Sequence, residues 1–393
     1  MSSRNRPLLN PLPTRFGTLT VGAGREERYM DPRDLSSHSP YVPGRGVEEV
    51  ARDLGLDPDE LIKLSSNENP HGASPDAVDA IRAHAAGISV YPKASHADLT
   101  DRLAEKWDVT TDQVWLSPGA DGSIDYLSRA MLEPDDRILV PDPGFAYYAM
   151  SARYHHGEVA TYPLARDSDF DQTAEGVLSA YDGERVVYVT SPHNPSGSVM
   201  SLPEVRALAD ATGPETLVVV DEAYGEFADE ESAVSLLADR DDVAVLRTFS
   251  KAYGLAGLRI GYAIVPEAWA DAYARVNTPF AASELACRAA LAALDDDEHV
   301  ETSIETARWA REYIAAELDA DTYESAGNFV LAEVGDAGTV AEAAQREGVI
   351  IRDCTSFGLP SCVRISTGTR EGTREAVATL NDVLADLELG VHA

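Results

Sequence analysis

Short apolar runs alternate with amphipathic stretches along most of the chain. The runs have the length of buried strands and lie at residues 114–116, 137–140, 185–190, 217–220, 243–249 and 260–264. Apolar residues recur at helical spacing before and between them, for example over residues 76–85 and 97–107. Strands that alternate with helices predict an α/β fold, with a mostly parallel sheet sandwiched by helices and joined by right-handed crossovers.

A second pattern begins after residue 281. The chain becomes helical through residues 309–317, and strands and helices then follow at 328–333, 339–347, 349–352, 362–366 and 374–387. This order is typical of a smaller α+β domain. We therefore predict an N-terminal arm with part of the small domain at 30–75, a large domain at 76–285 and a small C-terminal domain at 286–393.

Residues 1–29 mix Pro, Arg, Gly and Ser without a helical or strand period. Met30 directly precedes a more structured stretch. We interpret residues 1–29 as a disordered extension, or as the product of a start site placed too far upstream.

The charge of the chain is strongly acidic. Lys and Arg number 32 against 67 Asp and Glu, which gives a net charge of −35. Such a surface repels nucleic-acid backbones and anionic membranes, so neither is expected as a partner. Lysine is rare, and occurs at positions 63, 93, 106 and 251. This composition predicts a cytoplasmic protein of a halophile, whose carboxylates keep the surface hydrated in molar salt.

The cysteines give no sign of a metal centre. Cys287, Cys354 and Cys362 lack the spacing of a disulfide framework or of paired metal ligands. We therefore predict neither structural disulfides nor a bound metal.

Candidate chemistry follows several of the predicted strands, because the carboxyl ends of parallel strands place functional groups at one edge of a sheet. Small residues at 119–123 open a helix after the first strand, and their backbone N–H groups suit a phosphate. Taken alone, an ordinary strand-to-helix turn is the simpler interpretation. Phe145, after the second strand, is equally suited to the face of a planar ring and to the core.

The next strands end in groups that suit a cofactor ring. A turn with two prolines aims the Asn194 amide after residues 185–190. Asp221 follows an all-apolar strand and so enters a dry site, where a carboxylate needs a cationic partner. The Tyr224 hydroxyl can point to the same place.

Lys251 follows the strand at 243–249 in apolar surroundings, which favour a neutral and nucleophilic amine. Ser250 and Arg259 beside it are further phosphate ligands. The complete set provides for a phosphate, a planar ring, a protonated ring nitrogen, a ring oxygen and an aldehyde. These are the groups of pyridoxal 5′-phosphate, which is the cofactor we predict.

The motifs that carry these residues resemble those of fold-type-I pyridoxal-phosphate aminotransferases. They are Ser-Pro-His-Asn-Pro-Ser-Gly at 191–197, Asp-Glu-Ala-Tyr at 221–224 and Ser-Lys-Ala-Tyr-Gly-Leu-Ala-Gly-Leu-Arg at 250–259. Flanking motifs resemble the histidinol-phosphate aminotransferase family, namely Ser-Asn-Glu-Asn-Pro at 66–70, Tyr-Pro at 91–92, Arg-Asp at 352–353, Gly-Leu-Pro at 358–360 and Val-Arg-Ile at 363–365. His193 and Ser196 depart from the commoner Asn and Thr, and Gly122 stands where many relatives carry an acid.

The resemblance implies roles around the cofactor ring. Lys251 would bind the aldehyde and then act as acid and base, and Asp221 would pair with the ring nitrogen. Asn194 and Tyr224 would bind the ring oxygen, and Phe145 would stack on the ring.

The resemblance also implies anion-binding roles and a homodimer. The cofactor phosphate would be bound by Ala120, Asp121, Gly122, Ser250 and Arg259, and by the partner subunit's Tyr91. Arg364 would bind the carboxylate of the amino donor. Arg352 and the partner subunit's Tyr41 would help to bind a substrate phosphate.

The implied reaction moves the amino group of L-histidinol phosphate to 2-oxoglutarate, a step of histidine biosynthesis. Decarboxylation of L-threonine O-3-phosphate and a broad aromatic or aspartate aminotransferase activity are alternatives on the same scaffold. A non-catalytic, cofactor-binding regulator is a third, but no basic DNA-binding face is evident and Lys251 is present.

Overall fold

The computed structural model of the protein describes residues 30, 32–36, 38–93 and 96–391. The described residues before Pro40 belong to one unit, which has a turn where the Ser36 N–H donates to Asp34 Oδ1 at 2.9 Å. The predicted extension at 1–29 lies outside the described residues. The chain from Pro40 onward forms a second unit, which contains every helix and strand given below.

The helices are α1 Val47–Leu54, α2 Pro75–His84, α3 Ala97–Trp107, α4 Gly119–Met131, α5 Tyr147–Tyr154, α6 Ala174–Leu178, α7 Leu202–Ala211, α8 Ala270–Val276, α9 Glu284–Leu294, α10 Asp297–Glu317, α11 Ala337–Arg346 and α12 Arg370–Val391. The strands are β1 Ile62–Leu64, β2 Val114–Ser117, β3 Arg137–Asp142, β4 Glu158–Pro163, β5 Val186–Thr190, β6 Leu217–Asp221, β7 Val243–Thr248, β8 Gly261–Ile264, β9 Asp321–Thr322, β10 Phe329–Glu333, β11 Val349–Asp353 and β12 Cys362–Ser366. None of the described helices is long and apolar enough to cross a membrane.

The larger sheet has the strand order β2-β8-β7-β6-β5-β3-β4. Every residue of β5, β6 and β7 is buried, because helices cover both faces of the sheet, and this explains the continuous apolar runs. Neighbouring strands pair in parallel over the part of the sheet with the order β4-β3-β5-β6-β7, as the α/β pattern predicts. One strand, β8, pairs antiparallel with β7 and β2, so the sheet is mostly parallel, as predicted. The connection between β7 and β8, residues 249–260, contains no α-helix, whereas parallel strands are usually joined through a helical crossover.

The smaller sheet has the order β1-β11-β12-β10-β9 and lies beside helices α10, α11 and α12. Its first strand comes from residues 62–64, which pair in parallel with residues 349–351. The first strand of the smaller sheet therefore precedes every strand of the larger sheet in the sequence. Each sheet has its own cluster of buried apolar side chains. The domain boundaries proposed from the sequence stay predictions.

Candidate active site

The carboxyl ends of three neighbouring strands, β5, β6 and β7, meet at one edge of the larger sheet. The turn with Asn194 follows β5, Asp221 is the last residue of β6, and Ser250 and Lys251 follow β7. Tyr224 lies three residues beyond Asp221 and is buried. The fold thus places these predicted residues at one edge of the sheet, since strands that run in parallel end on the same side.

Asp221 is a buried carboxylate with neutral partners. Its two oxygens accept hydrogen bonds from the Tyr148 hydroxyl at 2.6 Å and from the Ala223 N–H at 3.0 Å. Burial raises the pKa of Asp221 from 3.8 to about 6. Among the ion pairs of the described residues, none involves Asp221, so the cationic partner expected from the sequence is not a side chain of this part of the chain.

Tyr148 is a site residue that the sequence reasoning missed. It lies in α5, where its ring stacks on Tyr188 with centroids 4.5 Å apart. Its hydroxyl also lies 2.9 Å from the Thr190 hydroxyl. Phe145 meets Tyr148 edge to face at 5.5 Å. The helical spacing of the aromatic residues that follow Phe145 could have signalled that a second ring faces the same way.

The predicted phosphate turn is the first turn of α4, which begins at Gly119. Arg259 lies across this turn and donates to Asp121 Oδ2 at 2.9 Å and to Ser250 Oγ at 3.4 Å. Gly119 has a φ of +79°, and a Cβ there would lie 2.3 Å from Arg259 Nη2. A Cβ at Gly261 would lie 2.8 Å from the Ala120 nitrogen. Glycine is therefore required where the backbone, the arginine and the helix start come together.

Lys251 is half-buried, which is less enclosed than the apolar sequence around it predicts. Its Nζ donates to the Ser66 carbonyl oxygen at 3.4 Å and lies 5.5 Å from the centre of the Tyr224 ring. The amine therefore lies between the larger sheet and the segment that follows β1.

Arg364 lies in β12 of the smaller sheet and is buried. Its guanidinium donates to Asn194 Oδ1 and, at 2.9 Å, to the Ser65 carbonyl oxygen. Burial lowers its pKa. The structure thus joins the residue predicted to bind a substrate carboxylate to one predicted to bind the cofactor oxygen.

Arg352 and Tyr41 lie near Arg364 in the same chain. Arg352 in β11 is the register partner of Arg364 in β12, and its Nη2 donates to the Val42 carbonyl oxygen at 2.9 Å. The Tyr41 ring is half exposed and meets Phe145 edge-on at 6.1 Å. Tyr41 therefore lies beside the candidate site of its own chain, and a contribution to a partner subunit stays a prediction.

Tyr91 is not brought to the cluster within this chain. It is 81% exposed and packs against Phe280 with ring centroids 5.0 Å apart. Ile88 and Val90 are also exposed beside it in sequence. These four side chains, which we call the apolar rim, are unusually large apolar groups to be exposed to solvent.

His193, which stands where Asn is commoner in the related motif, has a structural role. It is fully buried, and its ring nitrogens lie 2.9 Å from the Pro143 carbonyl oxygen and 2.7 Å from the Ser196 hydroxyl. Burial lowers its pKa to about 4, so the ring is neutral, donates to Pro143 and accepts from Ser196. His193 therefore ties the turn that carries Asn194 to the turn that carries Phe145.

No group of His, Cys, Asp and Glu side chains suited to a metal ion occurs among the described residues. The polar groups at the sheet edge are a carboxylate, amides, hydroxyls, a lysine and arginines. This set is suited to an organic anion with a planar ring rather than to a cation.

Comparison with known proteins identifies the class. The aminotransferase class I and II family model matches residues 59–380. The chain is 80% identical to the histidinol-phosphate aminotransferase of Halorubrum lacusprofundi, over 93% of this chain and 100% of that protein. It is 68% identical to the protein of the same name from Haloferax volcanii, over 91% of this chain and 99% of the relative.

A solved structure agrees with this likeness. The histidinol-phosphate aminotransferase of Sinorhizobium meliloti, in complex with pyridoxal 5′-phosphate, has a TM-score of 0.83 and 29% identity, over 92% of this chain and 99% of that one. The chain therefore belongs to the class I and II aminotransferases and, within them, to the histidinol-phosphate aminotransferase family. The α/β fold predicted from the sequence is confirmed as that of a fold-type-I enzyme.

Proposed function

We propose that this protein transfers an amino group between L-histidinol phosphate and 2-oxoglutarate, with pyridoxal 5′-phosphate as cofactor, in histidine biosynthesis. Membership of the aminotransferase family supports the class of reaction and the cofactor. The names of the relatives support the substrate. The observation that carries the proposal is the bond between Arg364 and Asn194, because it joins an anion-binding group to a group for the cofactor ring.

The residues present fit the cofactor. Asp221 is a buried carboxylate with neutral partners, and a protonated ring nitrogen would supply the positive charge that it lacks. The first turn of α4, with Ser250 and Arg259, offers backbone donors, a hydroxyl and a guanidinium to the phosphate. Asn194 and Tyr224 would bind the ring oxygen, and Phe145 would lie on the ring.

When bound, pyridoxal 5′-phosphate supplies an aldehyde that takes up the amino group and a protonated ring that accepts an electron pair. Lys251 would hold the cofactor through Nζ and, once displaced by the substrate amine, would take a proton from the substrate carbon as base and deliver it as acid to the cofactor carbon that carried the aldehyde. Asp221 keeps the ring nitrogen protonated throughout. The two half-reactions use the same groups in opposite directions.

One anion pocket serves two substrates in this proposal. Arg364 and Arg352 are register partners on neighbouring strands, so two guanidinium groups project from one place on the smaller sheet. The planar fork of arginine binds either a carboxylate or a phosphate ester. Arg364 would bind the carboxylate of 2-oxoglutarate, and Arg352 with Tyr41 would help to bind the phosphate of histidinol phosphate.

We propose further that the protein is a homodimer in the cytoplasm. The apolar rim of Ile88, Val90, Tyr91 and Phe280 supports the dimer, because exposed apolar side chains of this size are typical of a subunit interface. Tyr91 would then reach the partner's cofactor phosphate. The acidic and lysine-poor composition supports a cytoplasm rich in salt.

The absorbance spectrum of protein purified in molar salt tests this function. We expect a visible band from the cofactor bound at Lys251, which is lost on addition of L-histidinol phosphate alone and returns with 2-oxoglutarate. If histidinol phosphate leaves the band unchanged, the proposed cofactor would stand and the proposed substrate would be overturned. L-threonine O-3-phosphate would then be added, and release of carbon dioxide would be measured. No band after added cofactor would overturn the proposal as a whole.

A further inference from the structure

Three consecutive residues after β1 each contact a different group of the candidate site. The carbonyl oxygens of residues 65 and 66 accept bonds from Arg364 at 2.9 Å and from Lys251 at 3.4 Å. Asn67 Nδ2 donates to the Tyr224 hydroxyl oxygen at 3.0 Å. The segment therefore links the smaller sheet to two groups assigned to the cofactor.

The side chain of Asn67 has one orientation that its neighbours allow. Ser366 Oγ accepts the Asn67 backbone N–H at 2.8 Å, so its own hydrogen goes to Asn67 Oδ1, also at 2.8 Å. This pair assigns the amide oxygen to Ser366 and leaves the amide N–H for Tyr224. The Asn67 carbonyl oxygen accepts a further bond from Asn328 Nδ2 at 3.0 Å. Asn67 is 1% exposed, so water does not compete for these bonds.

The bond from Asn67 determines what the Tyr224 hydroxyl can do. Because the hydroxyl oxygen accepts from Asn67, its hydrogen remains for another acceptor. Accepting one bond also polarises the O–H group and makes it a better donor in a dry site. The assigned acceptor is the ring oxygen of the cofactor.

We propose that Asn67 is a positioning residue that holds the Tyr224 hydroxyl as a donor toward the cofactor ring oxygen, and thereby lowers the pH at which the cofactor-bound Lys251 nitrogen loses its proton. Loss of that proton leaves a negative ring oxygen without its counter-charge, and a donor stabilises that charge most in this state. The inference rests on the proposed binding of pyridoxal 5′-phosphate at Lys251.

Other charged and titratable groups surround Tyr224. Arg364 and Tyr41 interact with it electrostatically, and Lys251 lies over its ring. Asp221 lies at the end of the strand that leads to it. None of these groups is changed by substitution of Asn67, so we expect a changed titration in such variants to report on the Asn67 bond.

The backbone of Asn67 decides which variants are informative. Its φ is +53°, a conformation that Asp and Gly tolerate and Ala does not. Asn67→Asp keeps the shape but replaces the donor by an acceptor, which would take the Tyr224 hydrogen. Asn67→Gly removes the side chain without a new charge. Asn69→Asp adds the same charge two residues along, where the amide donates to Ala252 and Ser303 and not to Tyr224.

The experiment is a pH titration of the visible cofactor band in each holoenzyme, in molar salt and without substrate. We expect the midpoint to rise by roughly half to one pH unit in Asn67→Gly, the size of effect that one hydrogen bond gives. Asn67→Asp should raise it at least as much, and Asn69→Asp by less than half of that. Circular dichroism verifies the fold of each variant.

A double variant distinguishes an effect of Asn67 that passes through Tyr224 from a general disturbance of the site. Tyr224→Phe should raise the midpoint by itself, and Asn67→Gly added to it should produce no further rise. An unchanged midpoint in folded Asn67 variants, or an equal rise in the Tyr224→Phe background, would overturn the inference. A wild-type enzyme without the visible band would instead overturn the proposed function, so the two failures are distinguishable.

Discussion

Arg364 donates a hydrogen bond to the side-chain oxygen of Asn194, which lies 170 positions earlier in the chain. The first residue belongs to the smaller sheet and the second follows a strand of the larger sheet. This buried contact thus joins the residue proposed to bind the substrate anion to one proposed to bind the cofactor. A substrate anion that engages Arg364 would share the guanidinium with Asn194.

Arg364→Lys is expected to slow both half-reactions. A lysine has one ammonium group and cannot reproduce the fork that reaches Asn194 and the Ser65 carbonyl oxygen together. We expect a loss of roughly 10- to 100-fold in kcat/KM for each substrate. Single-turnover absorbance with histidinol phosphate and with 2-oxoglutarate measures the two steps separately. If one step alone were slower, the shared anion pocket would be wrong.

Lys251→Ala is expected to abolish covalent attachment of the cofactor and to lower turnover by roughly 10³-fold or more, because both nucleophile and acid–base group are lost. Mass spectrometry after borohydride reduction and a coupled assay measure these effects. Lys63→Ala is a suitable control, since Lys63 lies in β1 and its ammonium group is paired with Glu68. Near-normal turnover of Lys251→Ala would contradict the assignment.

Asp221 is expected to make the cofactor-free protein less stable as the pH rises. Burial raises its pKa to about 6 in the fold from an ordinary value of 3.8, so the folded state binds the proton more tightly. The protonated Asp221 contributes about 3 kcal/mol to the free energy of unfolding below pH 4, and this contribution is lost as the pH rises through 6. Asp221→Asn should remove this loss. Denaturant unfolding of both apoproteins should therefore show the variant more stable at pH 7, with little difference near pH 4. Equal pH dependence in the two proteins would refute this cause.

The apolar rim is expected to be a subunit interface. Val90→Glu would bury a charge there and should weaken the dimer by roughly tenfold or more. Sedimentation at several concentrations measures the effect, and Leu54→Glu, at another exposed apolar position, is the matched control. A wild-type protein that stays monomeric at micromolar concentration would rule out the dimer.

Removal of salt is expected to unfold the protein. With a net charge of −35, carboxylate repulsion is screened over ~3 Å at 1 M salt but extends over ~10 Å at 0.1 M. Circular dichroism during stepwise dialysis should show loss of structure, and return of salt, but not of sucrose, should restore it. Full stability in dilute buffer would count against adaptation to high salt.

Most strand positions and the chemistry at their ends could be predicted from the sequence. Apolar runs such as residues 217–220 are unambiguous because both faces of that strand are buried. β4, at the edge of the sheet and half exposed, has no such run and was missed. The antiparallel direction of β8 was also missed, because the apolar residues of a strand do not indicate whether it runs parallel or antiparallel to its neighbours.

The sequence by itself determined the class of the protein and the residues at the carboxyl edge of the larger sheet, because parallel strands bring their ends together whatever their exact register. The tertiary structure alone decided the contacts across the two sheets. Residues 62–64 pair with residues 349–351, and that pairing carries Asn67 to Tyr224 and the Ser65 carbonyl oxygen to Arg364. Such pairings join residues hundreds of positions apart, and they are chosen by the packing of two cores rather than by any local pattern of apolar and polar residues.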